Sequence, residues 1–185
     1  MSDNSQVVVR LDVPGGDEQE PIVASVRNWL LSTEVIAPFA PKPTWREEFG
    51  RTDFSPGPRW RDAVDEVHGA VFETLWHNGV DLRASVDYCS AMANTEPWNC
   101  GSCGAEFEDQ DLLGDWVDTH VEPTVRCTTC GWSAPLGDWP CKFPAVLVGA
   151  PIVEFHNWHP LRPDFVSELT RRVGGDRCRY FWSHL

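Results

Sequence analysis

The chain has 185 residues, 42% apolar and 23% charged, which suits one ordinary core with a small appended module and lies outside the composition of disordered chains. Its formal charge of −13 is unevenly placed: residues 1–95 carry 15 acids against 8 bases, residues 96–142 carry 9 against 2, and residues 143–185 carry 4 against 5. The middle segment offers only Arg126 and Lys142 for contact with phosphates, which argues against DNA or RNA as the main partner.

In chain order, Val7–Leu11 reads as a strand, followed by a turn at Pro14-Gly15-Gly16. Residues 20–32 place Ile22, Val23, Val26, Trp29 and Leu30 at helical spacing, with Pro21 suited to a first turn. Five prolines between residues 37 and 58 (Pro38, Pro41, Pro43, Pro56 and Pro58) predict a long irregular connection, and residues 58–66 a short helix. A hairpin is expected next, Val71–His77 and Val80–Tyr88 joined by a two-residue Asn78-Gly79 turn with positive φ angles. The rival reading continues the helix from Pro58 to His77 and ends it at Asn78-Gly79. Residues 110–119 read as a short helix, Ile152–His156 as a strand, Pro163–Val173 as a helix closed by Gly174-Gly175, and Cys178–Trp182 as a last strand. Strand, helix and strand in that order predict a βαβ unit.

No run approaches the roughly 20 apolar residues of a membrane helix. The acidic, polar start MSDNSQVVVR does not read as a signal peptide, so a cytoplasmic location is expected. In that reducing setting paired cysteines point to metal and not to disulfides.

The most specific signal is a pair of Cys-x-x-Cys-Gly knuckles, Cys100/Cys103 in CGSCG and Cys127/Cys130 in CTTCG. Two such pairs supply all four ligands of a tetrahedral zinc site and leave no open position for substrate, so one structural Zn2+ is expected. A redox dithiol would need a single pair at the start of a helix. Iron is the weaker candidate for the same sulfur shell. Cys89, Cys141 and Cys178 read as small buried hydrophobes.

These knuckles resemble the zinc-ribbon superfamily over about residues 98–141. The resemblance implies a metal-linked pair of β-hairpins, a fold used elsewhere to bind nucleic acid or protein. The wider layout (a Pro-Gly-Pro, an Asn-Gly-Val strand, a ribbon, then Asn-Trp before a helix and a strand) resembles uncharacterised bacterial cytosolic proteins. No Gly-x-x-x-x-Gly-Lys-Ser/Thr loop is present to support an ATPase reading, and no catalytic set of any other kind is found.

A second candidate site is Phe155-His156-Asn157-Trp158-His159-Pro160, where two histidines, an amide and an indole at a strand end suit a small anion, a metal or a peptide. The plainer reading is a turn in which Asn157 satisfies backbone groups and Trp158 packs on the core. Several of the ten tryptophans stand beside Pro, Gly or a charge, so Trp98, Trp132 and Trp139 are expected at a surface and form the candidate contacts for a partner. The acidic run Glu106, Glu108, Asp109, Asp111 and Asp115 reads as a solvated face.

Together these features predict an α+β fold. It would be a single mixed-sheet domain, with an N-terminal α+β half (1–95), an inserted zinc ribbon (96–142) and a C-terminal βαβ half (143–185) packed on the first. The expected function is non-enzymatic binding of a protein partner, a basic one such as a toxin met by an immunity or antitoxin-like protein. The alternatives are an enzyme or ligand-binding protein using the loop from His156 to His159, with a second metal if catalytic, and a nucleic-acid-binding ribbon.

Overall fold

The computed structural model describes residues 4–12, 19–38, 52–65, 78–93, 95–107 and 109–184. Its centre is a six-stranded sheet of β1 (Asn4–Arg10), β2 (Ile36–Pro38), β3 (Phe54–Pro56), β4 (Gly79–Arg83), β11 (Ile152–His156) and β12 (Cys178–His184). These lie in the order β12-β1-β11-β4-β3-β2. Every pairing in it is antiparallel. The expected βαβ unit is present in split form. β11 and β12 both run antiparallel to β1, hence parallel to one another, with β1 between them and α3 (Pro163–Val173) as the crossover. The α+β class stands, and parallel strands meet only across an intervening partner.

Alternation along β1 divides the core in two. Val8 joins Val26 and Leu30 of α1 (Glu20–Ser32), Phe165 and Leu169 of α3, and Val153 and Phe155 of β11 on the helix side. Val7, Val9 and Leu11 join Ile152 and Phe181 on the other side, against Trp98, Leu113, Trp116, Leu136 and Trp139 of the cysteine segment. The molecule therefore has three layers: two helices, the sheet, and the ribbon with α2 (Gln110–Thr119).

The ribbon grows from a two-stranded stem, β5 (Asp87–Cys89) paired with β10 (Leu147–Gly149). Backbone bonds from Ala91 N to Pro144 O, Glu96 N to Phe143 O and Asn99 N to Pro140 O, each 2.9 Å, keep the entering and leaving chains side by side. Two short hairpins follow, β6 (Trp98–Asn99) with β7 (Glu106–Phe107), and β8 (Thr124–Arg126) with β9 (Ser133–Pro135).

The proline-rich stretch is not wholly irregular, because its ends form β2 and β3, short strands near the sheet edge where a proline's missing N–H is tolerated. Gly79 does not turn a two-residue hairpin. It opens β4 without a positive φ, and a Cβ there would lie 2.0 Å from Thr52 Oγ1 and 2.5 Å from Phe54 O, so glycine is needed for close strand approach. The proposed partner strand, Val71–His77, lies outside the described residues, as does most of the rival helix. The short helix after Pro58 is a single 3₁₀ turn, Trp60–Ala63.

Candidate metal centre

The two knuckles are built alike. Cys100 N donates to Ala105 O (2.8 Å) and Gly104 N to Cys100 O (2.9 Å); Cys127 N donates to Trp132 O (2.7 Å) and Gly131 N to Cys127 O (2.9 Å). Each turn closes through a glycine in the left-handed region, Gly104 at φ 73° and Gly131 at φ 78°. That is the physical reason for the glycine after each pair.

Folding brings the pairs together. Cys100 Sγ lies 3.6 Å from Cys130 Sγ, and Cys103 Sγ lies 3.7 Å from Cys127 Sγ. All four sulfurs are within 4.8 Å of one another, and no disulfide joins them. They could hold one metal ion. Cys100 and Cys127 are buried, while Cys103 and Cys130 are exposed.

The electrostatics suit a cation. The Cys130 amide, supported by that of Thr129 and opposed by burial, holds the Cys127 thiol down at about 6. The Trp132 amide likewise lowers Cys130. Cys103 moves the other way, to about 12: the Ala105 amide favours its thiolate, but the sulfurs of Cys130, Cys100 and Cys127 crowd it. Four sulfurs this close cannot all ionise unless a cation offsets their charge.

Among the described residues, no other group of three or more metal-ligating side chains gathers within such distances. Cys89, Cys141 and Cys178 stay outside, donating to the carbonyls of Leu147, Glu96 and Gly174. Burial pushes the Cys89 thiol far up and those of Cys141 and Cys178 to about 11, which keeps all three protonated.

The tryptophans depart from expectation. Trp98 and Trp139 are each 3% exposed and belong to the ribbon-side core; Trp132 is half-buried, its ring centroid 5.2 Å from that of Trp139. They are hidden because this side of the ribbon is pressed against the sheet. Trp98 and Trp139 therefore offer no surface to a partner.

The second candidate site does not assemble as one loop. His156 Nε2 bonds Asp81 Oδ2 at 2.8 Å on the ribbon side of the sheet, next to Glu154, which accepts from Ser5 Oγ (2.7 Å) and Arg83 Nη2 (3.0 Å). His159 instead stacks on Trp60, with ring centroids 5.8 Å apart. Asn157 Oδ1 accepts from Asn4 N (3.0 Å), and Trp158 is 2% exposed. This is the plainer turn described above.

Its organiser is Gln6, which sequence reasoning passed over. Fully buried, it donates to Trp158 O (3.2 Å) and His159 O (2.8 Å) and accepts from Leu161 N (2.8 Å) and the Tyr180 hydroxyl (2.7 Å). A polar residue inside the run SQVVVR was the available signal.

No helix among the described residues is long and apolar enough to cross a membrane. No protein-family model, curated protein or solved structure matches the chain.

Proposed function

We propose that the four cysteines hold one structural zinc ion, and that the ribbon this ion closes is a docking module for a basic protein partner. Zinc suits the sulfur geometry. With bonds of about 2.3 Å, a tetrahedral four-sulfur shell has edges of ~3.8 Å, against the 3.6 and 3.7 Å contacts between the knuckles. Amide hydrogens aimed at the sulfurs stabilise the thiolates such an ion requires. Four protein ligands leave no open position, so the metal's work is to fix the ribbon's shape.

The observation that carries the binding role is the split in how the ribbon's acids are used. On its sheet side, Glu122 and Asp138 are neutralised by Arg177 and Arg179. On its outer side, Asp111, Asp115 and Asp118 of α2 are exposed, with Asp109 and Glu106 beside them, and none makes an ion pair with a described residue. Spacings of four and three residues put Asp111, Asp115 and Asp118 on one helix face, opposite the buried Leu113 and Trp116. Four thiolates around a zinc ion add about −2 to the same segment. Such a face steers a basic partner and repels nucleic acid.

Two measurements test the reading. Elemental analysis of the purified chain is expected to give one zinc per protein. In a pull-down from native lysate at low salt, wild type is expected to retain basic proteins that the Asp111→Lys, Asp115→Lys, Asp118→Lys triple variant does not. Equal capture by both proteins would remove the acidic face from the account, whatever the metal content.

A further inference from the structure

The sheet ends differently at its two edges. β2 is three residues long and ends in Pro38, which cannot donate to a further strand. β12 is seven residues long, contains neither proline nor lysine, and has no strand beyond it among the described residues.

Which of its backbone groups face outward follows from β1. Asn4 O accepts from Asn157 N, and Arg10 bonds both Pro151 O and Ala150 N, so the even-numbered residues of β1 address β11. Its odd-numbered residues address β12, and Leu11 N to Arg177 O (2.9 Å) continues that series. In the register Val9↔Arg179, Val7↔Phe181 and Ser5↔Ser183, these three β12 residues bond inward. Cys178, Tyr180 and Trp182 therefore turn their N–H and C=O groups away from the sheet. Arg179 Nη1 covers Cys178 O (3.1 Å), and no described backbone group meets those of Tyr180 or Trp182.

We infer that this edge pairs antiparallel with β12 of a second copy of the chain, across a two-fold axis at Phe181. That register sets Tyr180 of each copy opposite Trp182 of the other, where each pair exchanges both of its backbone bonds and two aromatic side chains meet across the strands. The contact is isologous and closes on itself. Charge favours a second copy at this place. At β12 the charges balance, Arg177 and Arg179 against Glu122 and Asp138, whereas the chain as a whole carries −13 and repels its own kind elsewhere. Arg179, the charged residue of β12, is already held by Asp138 and Gly137 O.

The test uses the full chain loaded with zinc. Sedimentation velocity over a wide concentration range is expected to show a monomer giving way to a species of twice the mass. Over the same range, amide hydrogen exchange at Tyr180 and Trp182 should slow by about 10-fold or more, while Phe181 and Ser183 stay protected throughout. Trp182→Pro, which removes an outward-facing donor only, should remain monomeric. A monomer at every concentration would overturn the inference. So would a dimer whose Tyr180 and Trp182 amides exchange freely, or protection of both amides already in the monomer. If the edge serves an extended segment of a different protein, the first of these results follows. The exchange measurement decides the matter even where the proline variant does not fold.

Discussion

Arg177 grips Glu122 with both terminal nitrogens, Nη1 to Oε2 at 2.6 Å and Nη2 to Oε1 at 2.7 Å, joining the segment that enters β12 to the loop after α2. Glu122 Oε1 also accepts from Gly137 N, and Arg177 Nε reaches Asp138 Oδ1 at 2.9 Å. One guanidinium thus fastens the ribbon layer to the sheet layer at a partly buried spot. Arg177→Ala leaves Glu122 without its cation and Asp138 with Arg179 alone, and is expected to cost about 1–3 kcal/mol, read as a lower urea midpoint. Arg177→Lys should recover only part of this, because an ammonium cannot form the two-pronged contact. An unchanged midpoint in the alanine variant would mean that apolar packing and the Arg179 contacts to Asp138 and Gly137 O hold the layers without Arg177.

Metal removal tests the same joint from the other side. Trp98, Trp116 and Trp139 are buried in the cluster that includes Cys100 and Cys127, so losing the ribbon's shape must expose indoles. Structural zinc in small finger peptides contributes about 10–16 kcal/mol, comparable with the whole stability of a typical domain at about 5–15 kcal/mol. Chelation, Cys100→Ser or Cys127→Ser should therefore shift tryptophan emission to the red and open residues 96–142 to protease. A serine variant with full metal content and unchanged protease resistance would refute the proposed role of zinc.

The local elements were legible in the sequence because their signals are local. Residues 20–32, 110–119 and 163–173 form helices at the predicted bounds, and Ile152–His156 is the predicted strand. The four cysteines announced their meeting through spacing alone. The placement of β1 between β11 and β12 could not be read, since it joins residues about 140–180 positions apart, and a run such as Val7-Val8-Val9 shows burial on both faces without naming the neighbours. The burial of Trp98 and Trp139 was hidden for a related reason: the flanking Pro97, Asp138 and Pro140 resemble a surface setting until the ribbon is seen lying on Val7, Val9 and Ile152. Gln6 was missed because strand alternation does not reveal which polar residue points into a core.

His156 should make stability depend on pH. Burial acts to lower its pKa, but the hydrogen bond to Asp81 and the charge of Glu154 outweigh that and raise it above the usual value. The charged imidazolium is therefore favoured in the folded state. Its contribution is fully present below the unfolded-state value of about 6.5 and is lost as pH rises through the higher folded-state value. Urea midpoints measured from mildly acidic to mildly alkaline pH should fall through that window, and the fall should shrink in His156→Gln. NMR titration of His156 is expected to show a raised midpoint that Asp81→Asn brings down. A midpoint at or below the ordinary histidine value would contradict the assignment.

Gln6 gives the sharpest test of whether the turn from Trp158 to Leu161 is structural. Replacing it with leucine keeps roughly the volume but removes the bonds to Leu161 N and the Trp158 carbonyl, which are buried, and those to the His159 carbonyl and the Tyr180 hydroxyl, which are partly buried. Leaving buried groups unsatisfied costs about 1–3 kcal/mol each, so Gln6→Leu should destabilise by at least about 2 kcal/mol in chemical denaturation. Gln6→Glu separates hydrogen bonding from packing. An ionised carboxylate would face two carbonyl oxygens and repel them, whereas a protonated one restores a donor. Its loss of stability should therefore be larger at neutral than at acidic pH, relative to wild type under the same conditions. Equal losses at both would show that this amide fills space and that its donors do not hold the turn.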